Sequence, residues 1–326
     1  MHIKDIGGEF SLIERLAKQA PLTHPDLVAG IGDDAAVIGN AFPNGDYLLL
    51  TTDMLVEHSH FRRDWSSADE IGIKSVACNV SDIAAMGGRP TFMFVAIALP
   101  HDTAVEWADG LYRGMAGACR RYGVVLAGGD TTHGDHITIS ISLMGRVAPA
   151  DLCLRRHARP GDLLCVSGAV GGAAAGLAML AAGMAPPADL RQKHLAPDCR
   201  LDVAPLLAPR VGAMIDISDG LAAEVNHICD QSDTGAELVL TDIPIAPSVV
   251  EAATLTGRDP YEFALSGGDD YELLFSVTPQ NRRQLEKQGV EVTAVGRVTD
   301  AAAGRWLRLA DGRRVPLRGG YNHFNG

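Results

Sequence analysis

"GIGDDAAVI", residues 30–38, places two adjacent carboxylates, Asp33 and Asp34, directly after a glycine turn. Like charges this close repel each other unless a cation or a proton neutralises them. Acids in this pattern indicate a site for cations rather than a solvated charged surface. The same combination, an acid beside small or apolar residues, returns in five later segments: "LLLTTD" ending at Asp53, "NVSDIAAMGG" around Asp82, "LAGGDTT" around Asp130, "MIDISDG" with Asp216 and Asp219, and "LSGGDDYELLF" with Asp269 and Asp270.

The bulk composition is that of a globular chain with room for two domains. The 326 residues carry a formal net charge of −12, and 47% of them are apolar. This acidic balance argues against nucleic acid as a partner, because a nucleic-acid-binding surface is basic. It does not exclude anionic substrates, since bound metal ions reverse the local charge.

Helices and strands alternate along both halves, which predicts two α/β or α+β domains. Capping boxes at Ser11, Ser67 and Thr103 predict the starts of three helices. The alternation of helices and strands is interrupted by the segment "VAPADLCLRRHARPGD", which is rich in Pro, Ala and charged residues. We therefore expect a boundary near residue 150, with domains of residues 1–150 and 151–326. The sequence contains neither a GxxxxGK[ST] P-loop nor a GxGxxG placed after a strand as in a Rossmann domain.

Cysteine usage and hydropathy predict a cytoplasmic protein with no membrane partner. The six cysteines include no CxxC pair and are expected to be reduced structural thiols, and "MHIKDIGGEF" contains no apolar signal region. Residues 163–188 are uncharged and long enough to span a bilayer. Their Gly and Ala content and the closing Pro186-Pro187 favour a glycine-rich turn that opens a buried helix.

Asp82 is the acid that is hardest to explain as a turn or a cap. A single Asp at a strand end is usually a turn former, and Asp33 could be that, while Asp219 could be the N-cap of its helix. Asp82 instead lies inside a helix, where Asp is a poor helix former, and shares a face with Ser75 and Asn79. A buried carboxylate on that face requires a cation or a proton.

The set of acids favours Mg²⁺ over zinc or calcium. Carboxylate oxygens are hard ligands, and Mg²⁺ completes its shell with water and phosphate oxygens. The sequence has no EF-hand loop and no His/Cys set of zinc spacing. Several Mg²⁺ ions held around a polyphosphate explain the repeated acids. His58 and His60, at alternate positions in "EHSH", could form a separate metal pair on one strand face, although no third ligand is evident.

The order of the motifs resembles one known family. "GEFSLIERL", "GIGDDAAVI", "TTDMLVEHSHF", "NVSDIAAMGG", "LAGGDTT", "IDISDGL", "LSGGDDYELLF" and "GYNHF" run from about residue 7 to residue 324. In this order they resemble the thiamine-monophosphate kinases of the aminoimidazole-ribotide-synthetase-like ATP-binding superfamily. The resemblance implies the two-domain fold of that superfamily, transfer of phosphate from ATP to thiamine monophosphate, and a homodimer that pairs its N-terminal sheets.

The resemblance also implies roles for individual residues. By motif, the metal ligands are Asp34, Thr51, Thr52, Asp53, Asp82, Asp130, Asp216 and Asp219. The nucleotide contacts are Tyr112, Gly129, Asp130, Arg155 and Ser218. The substrate contacts are His60, Asp269 and Tyr321. Family members often have Glu at the position of Asp269, so this chain keeps the charge on a shorter side chain. Arg156 does not align with a nucleotide contact and is expected to be a solvated charge.

The acceptor in such a reaction is itself a phosphate, already largely ionised at neutral pH because its second pKa is near ~6. It needs no general base, so we expect positioning and Mg²⁺ to carry the reaction, with direct in-line transfer and no covalent nucleophile. Selenophosphate synthetase is disfavoured because the first cysteine is Cys78, and the hydrogenase-maturation relative because the chain ends "HFNG". Purine-pathway synthetases and a non-catalytic nucleotide-binding protein stay as alternatives.

Overall fold

Two mixed β-sheets organise residues 9–18 and 24–321, the part of the chain that this computed structural model describes. The first sheet uses strands from the first 147 residues, and the second uses strands from residue 163 onward. The α/β (α+β) fold class is confirmed. The motif "GYNHF" falls partly on residues 322–324, which lie outside the described residues.

The first sheet has six strands in the order β1-β2-β3-β6-β4-β5, and only β4 and β5 run parallel. Helices α2 and α3 pack on one face of it. The elements of this half are α1 (Glu9–Ala17), β1 (Leu27–Ala29), β2 (Ala36–Ile38), β3 (Tyr47–Val56), α2 (Ala68–Ala85), β4 (Arg89–Leu99), α3 (Val105–Tyr122), β5 (Val125–His133) and β6 (Thr138–Val147).

The other face of the first sheet is exposed, although it carries large apolar side chains. Side chains alternate along a strand, and in β3 the residues Leu49, Thr51 and Leu55 are buried while Leu50, Thr52 and Met54 are exposed. We call the uncovered side the outer face. Its large apolar residues are Leu50, Met54, Phe92, Phe94 and Val125.

Four strands of the second sheet, Leu163–Val166, Met214–Asp216, Thr234–Val239 and Leu273–Val277, are buried at nearly every residue, as in strands covered on both faces. Its seven strands have the order β13-β12-β9-β11-β7-β10-β8. The elements of this half are β7 (Leu163–Val166), α4 (Gly172–Ala181), α5 (Ala188–Leu195), α6 (Ala204–Leu207), β8 (Met214–Asp216), α7 (Leu221–Ser232), β9 (Thr234–Val239), α8 (Pro247–Thr256), α9 (Pro260–Ser266), β10 (Leu273–Val277), α10 (Pro279–Lys287), β11 (Thr293–Asp300), β12 (Arg305–Arg308) and β13 (Arg314–Pro316).

Helix α2 joins the two halves. Ala84 and Ala85, near its carboxyl end, belong to the same apolar cluster as Met214 and Leu273 of the second sheet. One turn earlier, the Ser81 hydroxyl donates a hydrogen bond of 2.6 Å to Asp216. The face of α2 that carries Asp82 is thereby held against the end of β8.

One of the three predicted helix starts is correct. Ser67 and Glu70 form the expected capping box at the start of α2. Helix α3 instead begins after Ala104, which makes no side-chain cap, so the prediction at Thr103 is wrong by about one residue, within the usual uncertainty of helix ends. Helix α1 already begins at Glu9, which places Ser11 inside it rather than at its cap.

Within residues 9–18 and 24–321, no helix is long and apolar enough to cross a membrane. The uncharged stretch contains α4, which is only 10 residues long and follows a glycine turn. All six cysteines are free and buried, as expected for structural thiols.

Candidate active site

A cleft of about 1030 Å³ lies between the two halves and collects most of the predicted acids. Asp53 and Asp82 enter it from the first half, and Asp216, Asp219 and Asp269 from the second. The resemblance grouped these residues by motif, and the fold brings them to one place.

Three of the acids form a compact group at the cleft, which we call the acidic cradle: Asp34, Asp82 and Asp216. One carboxylate oxygen from each lies within 4.8 Å of the others. Asp34 follows the turn at Gly32, whose φ of 121° favours glycine, Asp82 projects from α2, and Asp216 ends β8. Three separate elements therefore converge on one point.

The cradle fits a divalent cation with oxygen ligands. The Asp34 Oδ2 atom is buried and has no hydrogen-bond partner among the described residues. Burial, with repulsion from neighbouring acids, raises the pKa of Asp82 and Asp216 well above the ordinary value. A buried acceptor without a donor, together with neighbouring carboxyls whose pKa is raised, is typical of a site that binds a cation. The hard oxygen set matches Mg²⁺.

Arg155 is the cation that reaches the cradle. Its Nη2 atom lies 2.5 Å from Asp34 Oδ1, and its side chain is only 17% exposed. The Arg155 backbone N–H donates to Asp33 Oδ1 at 2.8 Å. Asp33 therefore does more than shape a turn, because it fixes the segment after the first half to the "GDD" turn. Arg155 is therefore not a solvated charge of the linker, although it lies among other charged residues in the sequence.

Strand β3 brings Asp53 and Thr52 to the cleft, with the Thr51 side chain on the buried face and the Thr52 side chain turned to the outer face. The Thr51 hydroxyl donates a hydrogen bond to Asp82. Burial raises the pKa of Asp53, and Asp269 and Asp34 add to this, against a hydrogen bond from the Cys78 thiol. The Thr52 hydroxyl donates to Ile141 O on the neighbouring strand at 3.0 Å, and its side chain lies on the outer face. Only the Thr52 backbone could serve as a ligand there.

Asp219 is not the N-cap of α7, which begins after Gly220. The backbone N–H groups of Ser218 and Asp219 donate to Glu224 Oε1, at 3.3 and 2.8 Å. Glu224, in the first turn of α7, therefore holds the loop that precedes the helix, and Asp219 lines the cleft. Sequence reasoning missed this role of Glu224.

The predicted substrate contacts lie around Asp269 on the same cleft wall. Asp269 has a φ of 67°, in the left-handed region that non-glycine residues rarely adopt, and it accepts a hydrogen bond of 2.9 Å from the Tyr271 hydroxyl. The Tyr321 backbone N–H donates to Asp219 O at 2.9 Å, which brings its ring to the cleft. His60 also lines the cleft and accepts at Nδ1 from the Val56 N–H, at 3.0 Å.

Lys74 is the functional candidate that sequence reasoning missed. It lies on α2, two turns before Asp82, with its side chain 4% exposed, and its Nζ atom is 2.7 Å from Asp269 Oδ2. Burial alone would raise the pKa of Asp269, but the Lys74 ammonium holds it below the ordinary value. The pair joins residues 195 positions apart, so no local pattern could have found it.

The histidines of "EHSH" are not a pair on one strand face. Strand β3 ends at Val56, and His58 lies in a turn with a φ of 70°. The expected alternation therefore does not apply, because it requires extended backbone.

Tyr112, Gly129 and Asp130 lie outside this cleft in the single chain. Tyr112 is on α3, and the other two are on β5, the edge strand of the first sheet. Gly129 is in register with Asp53 across β4 and β6, three strand spacings or about 14 Å away. Their predicted roles are not tested by the structure of one copy.

The glycine turn before α4 is occupied by a carboxylate of the chain itself. The N–H groups of Gly171 and Ala173 donate to the two oxygens of Asp270, at 2.5 and 3.2 Å. Burial raises the pKa of Asp270 to about 6. This helix start would otherwise be a ready anion site, but Asp270 already fills it.

Comparison with known proteins matches this architecture over nearly the whole chain. Residues 32–147 match the N-terminal domain of the AIR synthase related proteins, and residues 159–306 match their C-terminal domain. The thiamine-monophosphate kinase of Haemophilus influenzae is 35% identical over 97% of this chain and 98% of its own. That of Rhodopirellula baltica is 37% identical over 88% of each chain.

Solved structures show the same similarity. The structure of AaThiL complexed with AMPPCP and TMP has a TM-score of 0.86 and 32% identity, and covers 99% of each chain. The hydrogenase maturation protein HypE in complex with ATP has a TM-score of 0.73 at 22% identity, covering 98% of this chain and 97% of its own. At that identity the likeness to HypE shows the fold alone.

Proposed function

This chain belongs to the thiamine-monophosphate kinases of the AIR synthase related family and is an ATP-dependent kinase of thiamine monophosphate; we propose that transfer takes place over the acidic cradle. The observation that carries this placement is the convergence of Asp34, Asp82 and Asp216 within 4.8 Å at the cleft between the two halves. The AaThiL complex with AMPPCP and TMP supports it, since a nucleotide analogue and a thiamine phosphate bind together in that relative.

Mg²⁺ is the cofactor that the cradle fits. Asp34, Asp82 and Asp216 would hold one ion or more, with Asp53, Thr51 and Asp219 at the border of the same site. When bound, Mg²⁺ neutralises charge on the phosphates that are brought together. The roles of Thr52 and Asp130 as further ligands stay predictions, the first through its backbone and the second through a neighbouring copy.

The chain's own residues orient the two substrates for direct in-line transfer. The acceptor phosphate is ionised, so no side chain must remove a proton from it. Arg155, held by Asp34, places a guanidinium beside the cradle, where it can contact nucleotide phosphates. Ser218 lies on the same cleft wall. Enclosure between the two halves limits access of water to the transferred group.

The thiamine end of the substrate is assigned to the opposite part of the cleft. Its thiazolium ring is cationic, and an aromatic face beside a carboxylate stabilises such a cation. Tyr321 and Asp269 supply that combination, and His60 lines the same cleft. The shorter side chain of Asp269 is kept ionised by Lys74 and oriented by Tyr271.

A homodimer explains both the outer face and two of the three distant residues. The outer face exposes Phe92 at 48% and Phe94 at 43%, beside the unpaired edge of β5. A soluble chain rarely leaves such a sheet face uncovered, and a second copy of the same sheet would cover it. Gly129 and Asp130, on the edge strand β5, would then lie near a neighbouring copy, whereas the role of Tyr112, on α3, stays a prediction.

Replacing Phe94 by Glu should convert this dimer to monomers, because it buries a charge at the centre of the outer face. Sedimentation equilibrium measures the mass, and the control is Leu255→Glu, which charges an apolar residue exposed to 53% in the second half. If Phe94→Glu sediments as the wild type does, the outer face is not the interface.

We also propose a division into domains of residues 1–150 and 151–326 and a cytoplasmic location. The gap between the two matched family domains, residues 148–158, supports a boundary near residue 150. Six buried free thiols support a reducing, cytoplasmic location.

The function is tested by incubating the full-length chain with ATP, thiamine monophosphate and Mg²⁺ and identifying the products. Thiamine diphosphate and ADP in equal amounts are expected. A purine-pathway synthetase would form no thiamine diphosphate from this mixture, because it requires a ribotide as its substrate. A non-catalytic nucleotide-binding protein would bind ATP without turnover. Either result would overturn the assignment.

Lys74→Met should raise KM for thiamine monophosphate by about 10-fold or more, while KM for ATP changes little. Without the ammonium, the half-buried Asp269 carboxylate loses its counter-charge, takes up a proton more readily and attracts a cationic ring less strongly. Steady-state kinetics with each substrate varied in turn measures the two constants.

Lys193→Met is the matched control, because Lys193 forms an ion pair of the same length, 2.7 Å, with Glu272 but does not line the cleft. It should lower stability without a selective effect on KM for thiamine monophosphate. Equal effects of the two variants would show that Lys74 has only a structural role.

A further inference from the structure

We propose that Glu57, His58 and His136 form a second metal site, distinct from the acidic cradle and selective for a borderline transition-metal ion such as Zn²⁺ over Mg²⁺. One ligand atom from each residue lies within 4.8 Å of the others. The proposed kinase reaction uses none of the three. The proposal does not depend on that reaction, because binding can be measured without turnover.

The spacing is close to that of a formed zinc site. Zn²⁺ binds imidazole nitrogen and carboxylate oxygen at about 2.0–2.2 Å, so two ligands on a tetrahedral ion lie about 3.4 Å apart. Closing the group from 4.8 Å therefore needs movements of roughly 1 Å or less at each side chain. His58 and His136 are both exposed and free to make such small rotations.

Glu57 is already fixed in position for ligation. Its side chain is 3% exposed, and its carboxylate accepts from Arg63 Nε at 2.5 Å and from the Ile137 N–H at 3.3 Å. Ligating carboxylates are commonly oriented by hydrogen bonds of this kind from outside the metal shell. Each oxygen retains a lone pair, since a carboxylate accepts about four hydrogen bonds.

The backbone holds the two histidines against each other. His58 adopts a φ of 70° and donates its N–H to Phe61 O at 2.8 Å, while the Glu57 N–H donates to Ile137 O at 2.9 Å. The two imidazole rings are nearly perpendicular, at 84°, with centroids 5.7 Å apart. In the described part of the chain, neither ring hydrogen-bonds a protein group, so nitrogen lone pairs stay available.

The ligand type sets the metal preference. Imidazole nitrogen favours Zn²⁺, Co²⁺ and Ni²⁺, whereas Mg²⁺ prefers oxygen and dehydrates reluctantly. Two nitrogens and one oxygen also leave the fourth tetrahedral position to water, as in open zinc sites. Because His58 lines the rim of the cleft, the ion would tie the segment carrying His60 to the turn between β5 and β6.

The test uses the full-length chain, stripped of metal and then kept in millimolar Mg²⁺ so that the acidic cradle is filled. Calorimetric titration with Zn²⁺ should show one ion per chain. Titration with Co²⁺ as a spectroscopic probe should give visible absorption bands of nitrogen-ligated, low-coordinate cobalt. His136→Ala and His58→Asn should each weaken Zn²⁺ binding by at least about 10-fold. Asn is chosen at position 58 because it tolerates positive φ.

His101→Ala is the matched control, since His101 belongs to a second exposed histidine pair, stacked on His133 at 3.8 Å, but has no place in the Glu57 group. It should bind Zn²⁺ as the wild type does. Metal-free melting curves check that each variant is folded. The proposal is overturned if Zn²⁺ binding is not stoichiometric, or if it is unchanged in both His58→Asn and His136→Ala, since either result would mean an adventitious ion only. It is also overturned if Asp82→Asn abolishes Zn²⁺ binding, because the ion would then occupy the acidic cradle.

Discussion

Asp82→Asn should lower kcat for phosphorylation of thiamine monophosphate by about 10³-fold, equivalent to about 4 kcal/mol of transition-state stabilisation. Asp82 is central to the acidic cradle, since its pKa responds to Asp53, Asp216 and Asp34. Asn keeps the size and can still accept the Thr51 hydroxyl, but it removes one negative ligand. The loss should therefore appear in catalysis and in the Mg²⁺ concentration needed for half-maximal activity.

The same exchange should stabilise the protein when no divalent ion is present. In wild type, a buried carboxylate is surrounded by other carboxylates, and removing its charge removes that repulsion. A gain of about 1 kcal/mol corresponds to a rise of about 1–2 °C in melting temperature for a chain of 326 residues. Most substitutions of a buried polar residue destabilise the folded protein, so a gain in stability would indicate repulsion among the carboxylates of the acidic cradle.

The gain should depend on pH in a defined direction. The pKa of Asp82 is raised in the folded state, so the unfolded chain ionises first as the pH rises. The wild type therefore has its full stability below the unfolded pKa, near ~3.9, and loses it as the pH rises through the folded pKa. The difference in melting temperature between Asp82→Asn and wild type should be small at pH 5 and larger at pH 8, measured in EDTA.

The matched control is Asp242→Asn, the same exchange at an exposed position outside the cleft. It should change neither kcat nor the melting temperature appreciably. If Asp82→Asn retains wild-type kcat, Asp82 does not belong to the metal site. If it lowers the stability of the metal-free protein, Asp82 has a structural hydrogen-bonding role.

The acids could be predicted from the sequence because each has a local signature. Asp53 follows an apolar run within a strand, Asp82 lies inside a helix, and Asp216 closes another strand, so the sequence pattern separates them from surface charges. Their order along the chain then matched one family, which gave the fold. What the pattern could not give was distance, since the convergence of Asp34, Asp82 and Asp216 depends on how three elements pack.

Each feature that the sequence did not predict correctly has a physical cause. Lys74 and Asp269 meet only because α2 packs across both halves, and no periodicity encodes a contact over 195 residues. Thr52 was placed with Thr51 because a motif was carried over whole, although alternation along β3 sends the two side chains to opposite faces. His58 and His60 failed as a strand pair because β3 ends before them.

A non-hydrolysable ATP analogue should stabilise the protein strongly in Mg²⁺ and hardly at all in excess EDTA. Without a cation, the triphosphate meets the acidic cradle in a chain of net charge −12, and Arg155 is already paired with Asp34. With Mg²⁺, the ions cancel the repulsion and bridge the carboxylates to the phosphates. A 100-fold difference in affinity corresponds to about 2.7 kcal/mol, which is modest beside the charges involved.

Thermal melting with the analogue, with and without chelator, measures the difference. A ligand that binds only the folded state raises the free energy of unfolding by RT ln(1 + [L]/Kd), where [L] is the free ligand concentration. Mg²⁺ alone and thiamine monophosphate alone should each give smaller shifts than analogue, thiamine monophosphate and Mg²⁺ together. In Asp82→Asn the Mg²⁺-dependent part of the shift should largely disappear, whereas Asp242→Asn should keep it. Equal shifts with and without chelator would mean that the nucleotide binds without metal, and the acids of the cleft would then need a different explanation.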